Sequence, residues 1–368
     1  MTSMSPASER PHVPVAASPR GFTIVELLVT IAVIAALMGI LLVGLQAARR
    51  AGATTKEKSN LGQLYKAWTM YASQNNDSAM PGYLDEGVQT AWGLSWKGSD
   101  RKTKIPAEYC TTYPHRLASY LDYSPDVLYD YMNAEDDAVF KAEIDDGTGP
   151  VLNTAGLQMM SLHPAFGYNA YYVGGWWRMV SGVPTLRFGN ATWNDSEGLT
   201  HTGGVVALKS TNIARPSEMI VFCASALREP GFYKADSEFS NGAAWVVPHL
   251  LGGEELWRPW DGSSFGSMGA SAPGDSAGSI FTAMANGTAT ATPSYTLAQS
   301  GATGLGMEVL GSGATGVPFK RFGIQVTHVN ADGSVSGAGI GELQSQHRWM
   351  NPAAPGPTSG SFTHSNND

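Results

Sequence analysis

The apolar run from Phe22 to Leu45, FTIVELLVTIAVIAALMGILLVGL, constrains this chain more than any other feature, because Glu26 is its only charge. At 1.5 Å per residue a helix over it reaches about 36 Å, more than a hydrocarbon core of about 30 Å. The run therefore predicts one membrane-spanning helix. An ordinary cleaved signal peptide would instead have an apolar core of about 7–15 residues and then a small-residue site. Ala51-Gly52-Ala53 offers such a site, but the run is too long and Arg49 and Arg50 intervene. A lone carboxylate inside a span is costly unless it is paired, and it marks a functional position by default. The partner of Glu26 should be a cation. A cut between Gly21 and Phe22 would create one, since the new Phe22 amine would lie one helical turn from Glu26, or close to that of a neighbouring copy.

Beyond the span, Leu61, Leu64, Tyr65, Trp68, Tyr71 and Ala72 recur at three- and four-residue spacing, leaving Lys56, Asn60, Lys66 and Gln74 for the other face. One helix from Phe22 to about Ala72 is predicted. The rest reads differently. Glycine is 43 of 368 residues, with 21 prolines, which excludes an all-helical bundle and predicts many turns. Met219 to Phe222 is a short apolar run suited to a buried strand. Ile324, Val326 and His328 alternate with Gln325 and Thr327 ahead of Asn330-Ala331-Asp332-Gly333, the pattern of a strand entering a tight hairpin. A long helix followed by separate antiparallel strands is an α+β arrangement.

The N-terminal residues Arg20-Gly21-Phe22-Thr23-Ile24-Val25-Glu26-Leu27-Leu28 resemble the type IV pilin and type II secretion pseudopilin superfamily, whose prepilin signal is a short basic leader, a glycine, Phe-Thr-x-x-Glu and an apolar run. In that family a membrane aspartic peptidase cuts after the glycine and methylates the new N-terminal phenylalanine, which by resemblance assigns Gly21 and Phe22. The motif's glutamate directs subunit docking, which by resemblance assigns Glu26. Many members carry a proline about twenty residues into the mature helix; this chain has Gly39 and Gly44 in that region instead. Three further blocks, with the segment from Ser59 to Pro81, resemble a large pseudopilin-like subfamily found in planctomycetes and their relatives. They are Phe166-Gly167-Tyr168-Asn169-Ala170-Tyr171 with Gly174-Gly175-Trp176, Ala214 to Phe222 around Pro216-Ser217, and Val329 to Val335 around Asp332-Gly333. That subfamily often has a histidine ten residues before the aspartate, where this chain has Phe322.

The resemblance implies a pilin-like α+β fold: a prepilin leader (1–21), a transmembrane and assembly helix (22–45), its amphipathic continuation (46–72), a periplasmic head (73–350) and a flexible tail (351–368). Long insertions are expected at 84–160 and 228–318, where a filament subunit would present partner-specific surface. The implied partners are prepilin peptidase, other pilin or pseudopilin subunits, the inner-membrane assembly platform and membrane lipid. The implied location is the bacterial inner membrane, single-pass. Counting Arg10 and Arg20 against Arg49, Arg50, Lys56 and Lys58 would invert the orientation, but leader processing on the cytoplasmic side accounts for Gly21-Phe22 and the count does not.

Other chemistry is thinly marked. Formal charge is −8, from 23 basic and 31 acidic residues, with no long basic run, so no nucleic-acid partner is expected. Cys110 and Cys223 are too few for a disulfide scaffold, though they are the candidates for one bridge or for buried free thiols. Gly274-Asp275-Ser276-Ala277-Gly278 fits G-x-S-x-G, but no apolar strand leads into it and it reads as loop. Asp136, Asp137, Asp145 and Asp146 are weak calcium candidates without an EF-hand spacing, and no other metal or cofactor is expected. Trp92, Trp96, Trp176, Trp177, Trp193, Trp245, Trp257 and Trp260 fit core or sheet packing better than a sugar-stacking surface. The expected function is a structural, non-enzymatic filament subunit. Its rivals are a minor tip adhesin that binds a ligand through the insertions, and a membrane-anchored enzyme.

Overall fold

The computed structural model describes residues 23–129, 157, 160–186, 189, 192–194, 199–228, 242–246, 315–318, 325–343 and 346–351. The chain divides into two compact units, Met1–Arg49 and Arg50–Asp368. Helix α1 is Ile24–Gln74, 51 residues long. It starts and ends two residues later than the spacing predicts. In the first unit its apolar side chains stand open on every side, with Ile24, Leu28, Ile31, Leu37 and Leu41 all exposed. A helix apolar all round is the pattern of a membrane span rather than of one face against a core, and α1 is long and apolar enough to cross a membrane.

In the second unit the same helix becomes one-sided. Leu61, Leu64, Ala67, Trp68 and Ala72 are buried, while Gln63, Lys66, Met70 and Ser73 are exposed. Tyr65 and Tyr71, predicted on the buried stripe, sit at its margins. The remaining elements are β1 (Tyr83–Leu84), α2 (Glu86–Ala91), α3 (Tyr113–Leu117), β2 (Phe166–Tyr168), β3 (Trp176–Val180), β4 (Val183–Leu186), β5 (Thr192–Asn194), β6 (Thr200–Thr202), β7 (Ile220–Arg228), β8 (Thr315–Pro318), β9 (Val326–Asn330), β10 (Val335–Ala338) and α4 (Ile340–Leu343). The main sheet runs β10-β9-β7-β2, with β8 also paired to β7, and every pairing is antiparallel. A smaller sheet, β1-β3-β4, joins one parallel and one antiparallel pair. Strands β5 and β6 form a separate antiparallel pair. The α+β arrangement expected of a pilin-like chain is the one observed.

Helix and sheet are joined through one hydroxyl. The Trp68 indole N–H donates to Tyr168 Oη at 3.0 Å, and that hydroxyl donates to the Met80 carbonyl at 2.8 Å. The rings of Tyr113, Tyr168 and Phe222 form one mutual cluster, with centroid distances of 6.1, 4.8 and 5.2 Å. The hairpin between β9 and β10 lies against the same helix, where Tyr65 Oη donates to the Ala331 carbonyl at 2.8 Å. Gly333 has φ +87°, and a Cβ there would come within 2.6 Å of the Tyr65 ring, so conformation and space both require glycine. Strand β9 is buried along its whole length, not on one face as its alternation suggests. Its Thr327 hydroxyl reaches α1 and donates to Glu57 Oε2 at 2.6 Å.

The segment after β1, within the insertion expected at 84–160, packs into the core as far as Tyr129: Val88, Tyr113, Leu117 and Leu128 are buried. Its centre is Arg116, 1% exposed, which donates to the carbonyls of Thr112, Pro81, Gly82 and Thr111 at 2.8, 2.6, 2.8 and 3.3 Å. Asn351, the first residue of the expected tail, is bonded to the head. Asn351 caps a neighbouring turn, accepting from the Ala214 N–H at 2.7 Å and donating to the Asn212 carbonyl at 3.0 Å. Trp349 just before it is fully buried. Most of 228–318 lies outside the described residues, but 243–246 are buried beside β2 and β8 extends the main sheet.

Replacing Tyr168 with phenylalanine removes only the bridging oxygen and leaves the Trp68 N–H and the Met80 carbonyl buried without it. Each such group costs about 1–3 kcal/mol, so a loss of roughly 2–4 kcal/mol is expected in urea or thermal unfolding of the full chain. An unchanged midpoint would show that the bridge carries no weight.

Candidate functional site

The site indicated by the sequence lies at the start of α1, and its described part is a reciprocal cap. The Thr23 N–H and hydroxyl both donate to Glu26 Oε2 at 2.9 Å, and the Glu26 N–H donates back to Thr23 Oγ1 at 3.2 Å. The Thr23 carbonyl accepts the first helical bond, from the Leu27 N–H at 3.2 Å. A helix start leaves its first N–H groups without internal partners, and a Thr-x-x-Glu box satisfies two of them while placing an anion at the positive end of the helix dipole. Thr23-Ile24-Val25-Glu26 spells that box, so the signal for Thr23 is present in the sequence although the charge argument looks only for a cation. Gly21 and Phe22 lie outside the described residues.

The other predicted residues do not converge on this site. Cys110 and Cys223 form no bridge with each other: both thiols are free and buried. Cys110 packs with Ile105, Tyr109 and Leu157, whereas Cys223 belongs to the main core. Burial pushes the Cys110 thiol up to about 12 and raises that of Cys223, where the Glu57 carboxylate adds to the effect. Neither is a thiolate nucleophile at neutral pH. The calcium candidates Asp136, Asp137, Asp145 and Asp146, together with Ser276, Trp257 and Trp260, lie outside the described residues. Among the described residues no group of three or more His, Cys, Asp or Glu side chains is arranged to hold a metal ion.

The tryptophans divide between core and surface. Trp245 is buried and meets Trp176 edge-on at 6.4 Å, while Trp176 is stacked between Tyr83 at 4.3 Å and Tyr171 at 4.6 Å. Trp92 is 41% exposed and lies edge to face with Trp177 at 5.0 Å. His328 Nε2 and Ser336 Oγ are 3.0 Å apart across the β9–β10 pair. The other ring nitrogen faces the Val326 carbonyl at 3.5 Å, so no carboxylate orients the ring as nucleophilic catalysis would require.

With that geometry in place, residues 17–42 match the family described as the Prokaryotic N-terminal methylation motif. The chain therefore carries a type IV pilin-like prepilin motif that runs into α1, the one helix among the described residues long and apolar enough to cross a membrane. No curated protein and no solved structure matches the chain.

His115 and His328 are buried and His163 is half-buried, and all three enter the second unit's response to acid. Loss of hydration lowers His115, His163 and His328 to about 4 from the ordinary 6.5, against the raising effect of backbone hydrogen bonds. A folded-state value below the unfolded one means that the unfolded chain binds protons first. The associated stability is complete above about 6.5 and is lost as pH falls toward about 4. The unfolding temperature is expected to stay level from pH 8 to pH 7 and to drop steadily below about 6.5. A flat profile down to pH 4 would contradict the burial of these rings.

Proposed function

We propose that this chain is a structural subunit of a pseudopilus or type IV pilus-like filament, cut by prepilin peptidase after Gly21, methylated at Phe22 and assembled through its apolar N-terminal helix. The observation that carries the proposal is the coincidence of the methylation motif at 17–42 with a helix exposed and apolar all round. In this reading the subunit waits in the inner membrane with its head in the periplasm. Lipid covers the apolar half of α1 until neighbouring copies replace it. Glu26 then docks the incoming subunit by meeting a Phe22 amine, and the head follows the pattern of the planctomycete-type pseudopilins.

The helix supports this division of labour. A first half that is apolar on every face has no preferred side and can be surrounded equally by lipid or by other helices. A second half with one buried stripe is committed to its own head.

N-terminal peptide and intact-mass analysis of protein from native membranes should find a chain beginning at N-methylated Phe22. A chain beginning at Met1 or near Thr54 would sink the proposal. In the same preparation Glu26→Ala should be cut normally but yield fewer filaments by about tenfold or more, equivalent to about 1.4 kcal/mol of docking energy. Undiminished filaments would remove Glu26 from assembly.

A further inference from the structure

The head carries a cationic hairpin within residues 97–104. Lys97 pairs with Lys104 in an antiparallel bridge, the Ile105 N–H donates to the Trp96 carbonyl at 3.0 Å, and the Gly98 N–H donates to the Thr103 carbonyl at 2.9 Å. The turn is held from inside by Asp100, whose carboxylate accepts from the Lys102 and Thr103 N–H groups, both at 2.9 Å, and from the Thr103 hydroxyl. Asp100 is thereby occupied within the loop. Lys97, Arg101, Lys102 and Lys104 are all exposed. Arg101 meets Asp122 at 3.3 Å in an open pair, and Lys97, Lys102 and Lys104 have no ion-pair partner among the described residues. Two lysines directly opposite each other oppose the pairing that holds them, so the fold tolerates a local repulsion for no gain of its own.

A complementary patch lies on the same head. Asp85 caps α2 by accepting from the Gly87 N–H at 2.7 Å, and Glu86 follows it. Burial raises the pKa of Glu86, and the nearby Glu108 and Asp85 carboxylates raise it further. The Gln89 side chain donates to the Leu84 and Ala107 carbonyls at 2.9 and 3.0 Å, which brings the chain at Glu108 beside that at Asp85 and Glu86. Trp92 and Leu94, 41% and 37% exposed, lie between the two patches in the sequence.

We propose that heads contact each other in the filament, the cationic hairpin of one copy docking on Asp85, Glu86 and Glu108 of a second copy of this chain. The proposal rests on the filament reading for its setting. Charge complementarity selects the occupant: the chain has a net charge of −8, yet four of its 23 basic residues fall within 97–104. Where the hairpin of each copy docks on the acids of the next copy instead of both copies docking reciprocally, the contact is heterologous, the kind that repeats without closing and builds a filament. Salt bridges at the rim of such a contact fix register and steer approach more than they add affinity.

The test uses the full chain in native membranes, mixing a tagged Lys102→Cys copy with a differently tagged Glu86→Cys copy and a short bis-maleimide. Cys110 and Cys223 are buried and do not compete. Cross-linked dimers carrying both tags are expected. Adding Lys97→Glu and Lys104→Glu to the first copy should remove most of that product, and adding Glu108→Lys to the second should restore it. Absence of mixed dimers, or mixed dimers indifferent to charge reversal, overturns the proposal. So does capture of a DNA oligonucleotide or an anionic vesicle by the hairpin in place of a second copy. A chain processed to N-methylated Phe22 without mixed dimers sinks this contact alone. Mixed dimers from an unprocessed chain uphold the contact and sink the filament reading.

Discussion

The head depends on the Tyr168 hydroxyl. It accepts from Trp68 on α1 and donates to the Met80 carbonyl, so helix, sheet and the segment leaving the helix share one oxygen. All three groups are buried, where a polar atom without a partner is far more costly than a bonded one is favourable. The arrangement therefore acts as a key. Rolling α1 by one residue turns its stripe by about 100° and takes the indole away from the hydroxyl. Hydrophobic burial of Leu61 and Leu64 drives the helix onto the sheet without fixing its rotation, whereas the bridge accepts a single register.

Arg116 does for the segment after β1 what Tyr168 does for the helix. Its guanidinium is buried among backbone carbonyls at the first turn of α3 and at Pro81-Gly82, and desolvation lowers its pKa to about 10, which still leaves it charged at neutral pH. A planar fork with several donors can bond several carbonyls at once, as a lysine ammonium cannot with the same geometry. The small sheet β1-β3-β4 and the surface that carries Trp92 and the cationic hairpin are built on this anchored stretch.

The chain shows its helix readily and its loops poorly, for physical reasons. Periodicity and an apolar run are properties of neighbours in sequence, so α1 and the Asp332-Gly333 hairpin could be read from them. The Thr23–Glu26 cap was equally local and needed only its spacing to be noticed. Arg116 is different, because an arginine preceded by Tyr-Pro-His gives no sign that carbonyls 34 and 35 positions away will enclose it. Val88, Tyr113 and Leu117, within the insertion expected at 84–160, follow no sustained period, and their burial is a tertiary fact. The basic residues of 97–104 stand in one short stretch of sequence, but that stretch does not show that Lys97 and Lys104 come opposite each other.

The cap at Thr23 also changes how the glutamate argument runs. An isolated carboxylate in an apolar span calls for a cation, but Glu26 already accepts two hydrogen bonds from Thr23 and sits at the helix end where the dipole favours negative charge. Both bonds go to Oε2. Under the proposed function, the carboxylate is thus held in place before any neighbour arrives, and the cost of keeping it in lipid falls accordingly. An incoming Phe22 amine meets an acceptor whose position is set by the helix itself rather than by a flexible side chain. What the amine adds is the difference between a capped and an ion-paired carboxylate, smaller than the full cost of an unpaired charge. A smaller difference lets subunits exchange between membrane and filament, which a site of full ionic strength would oppose.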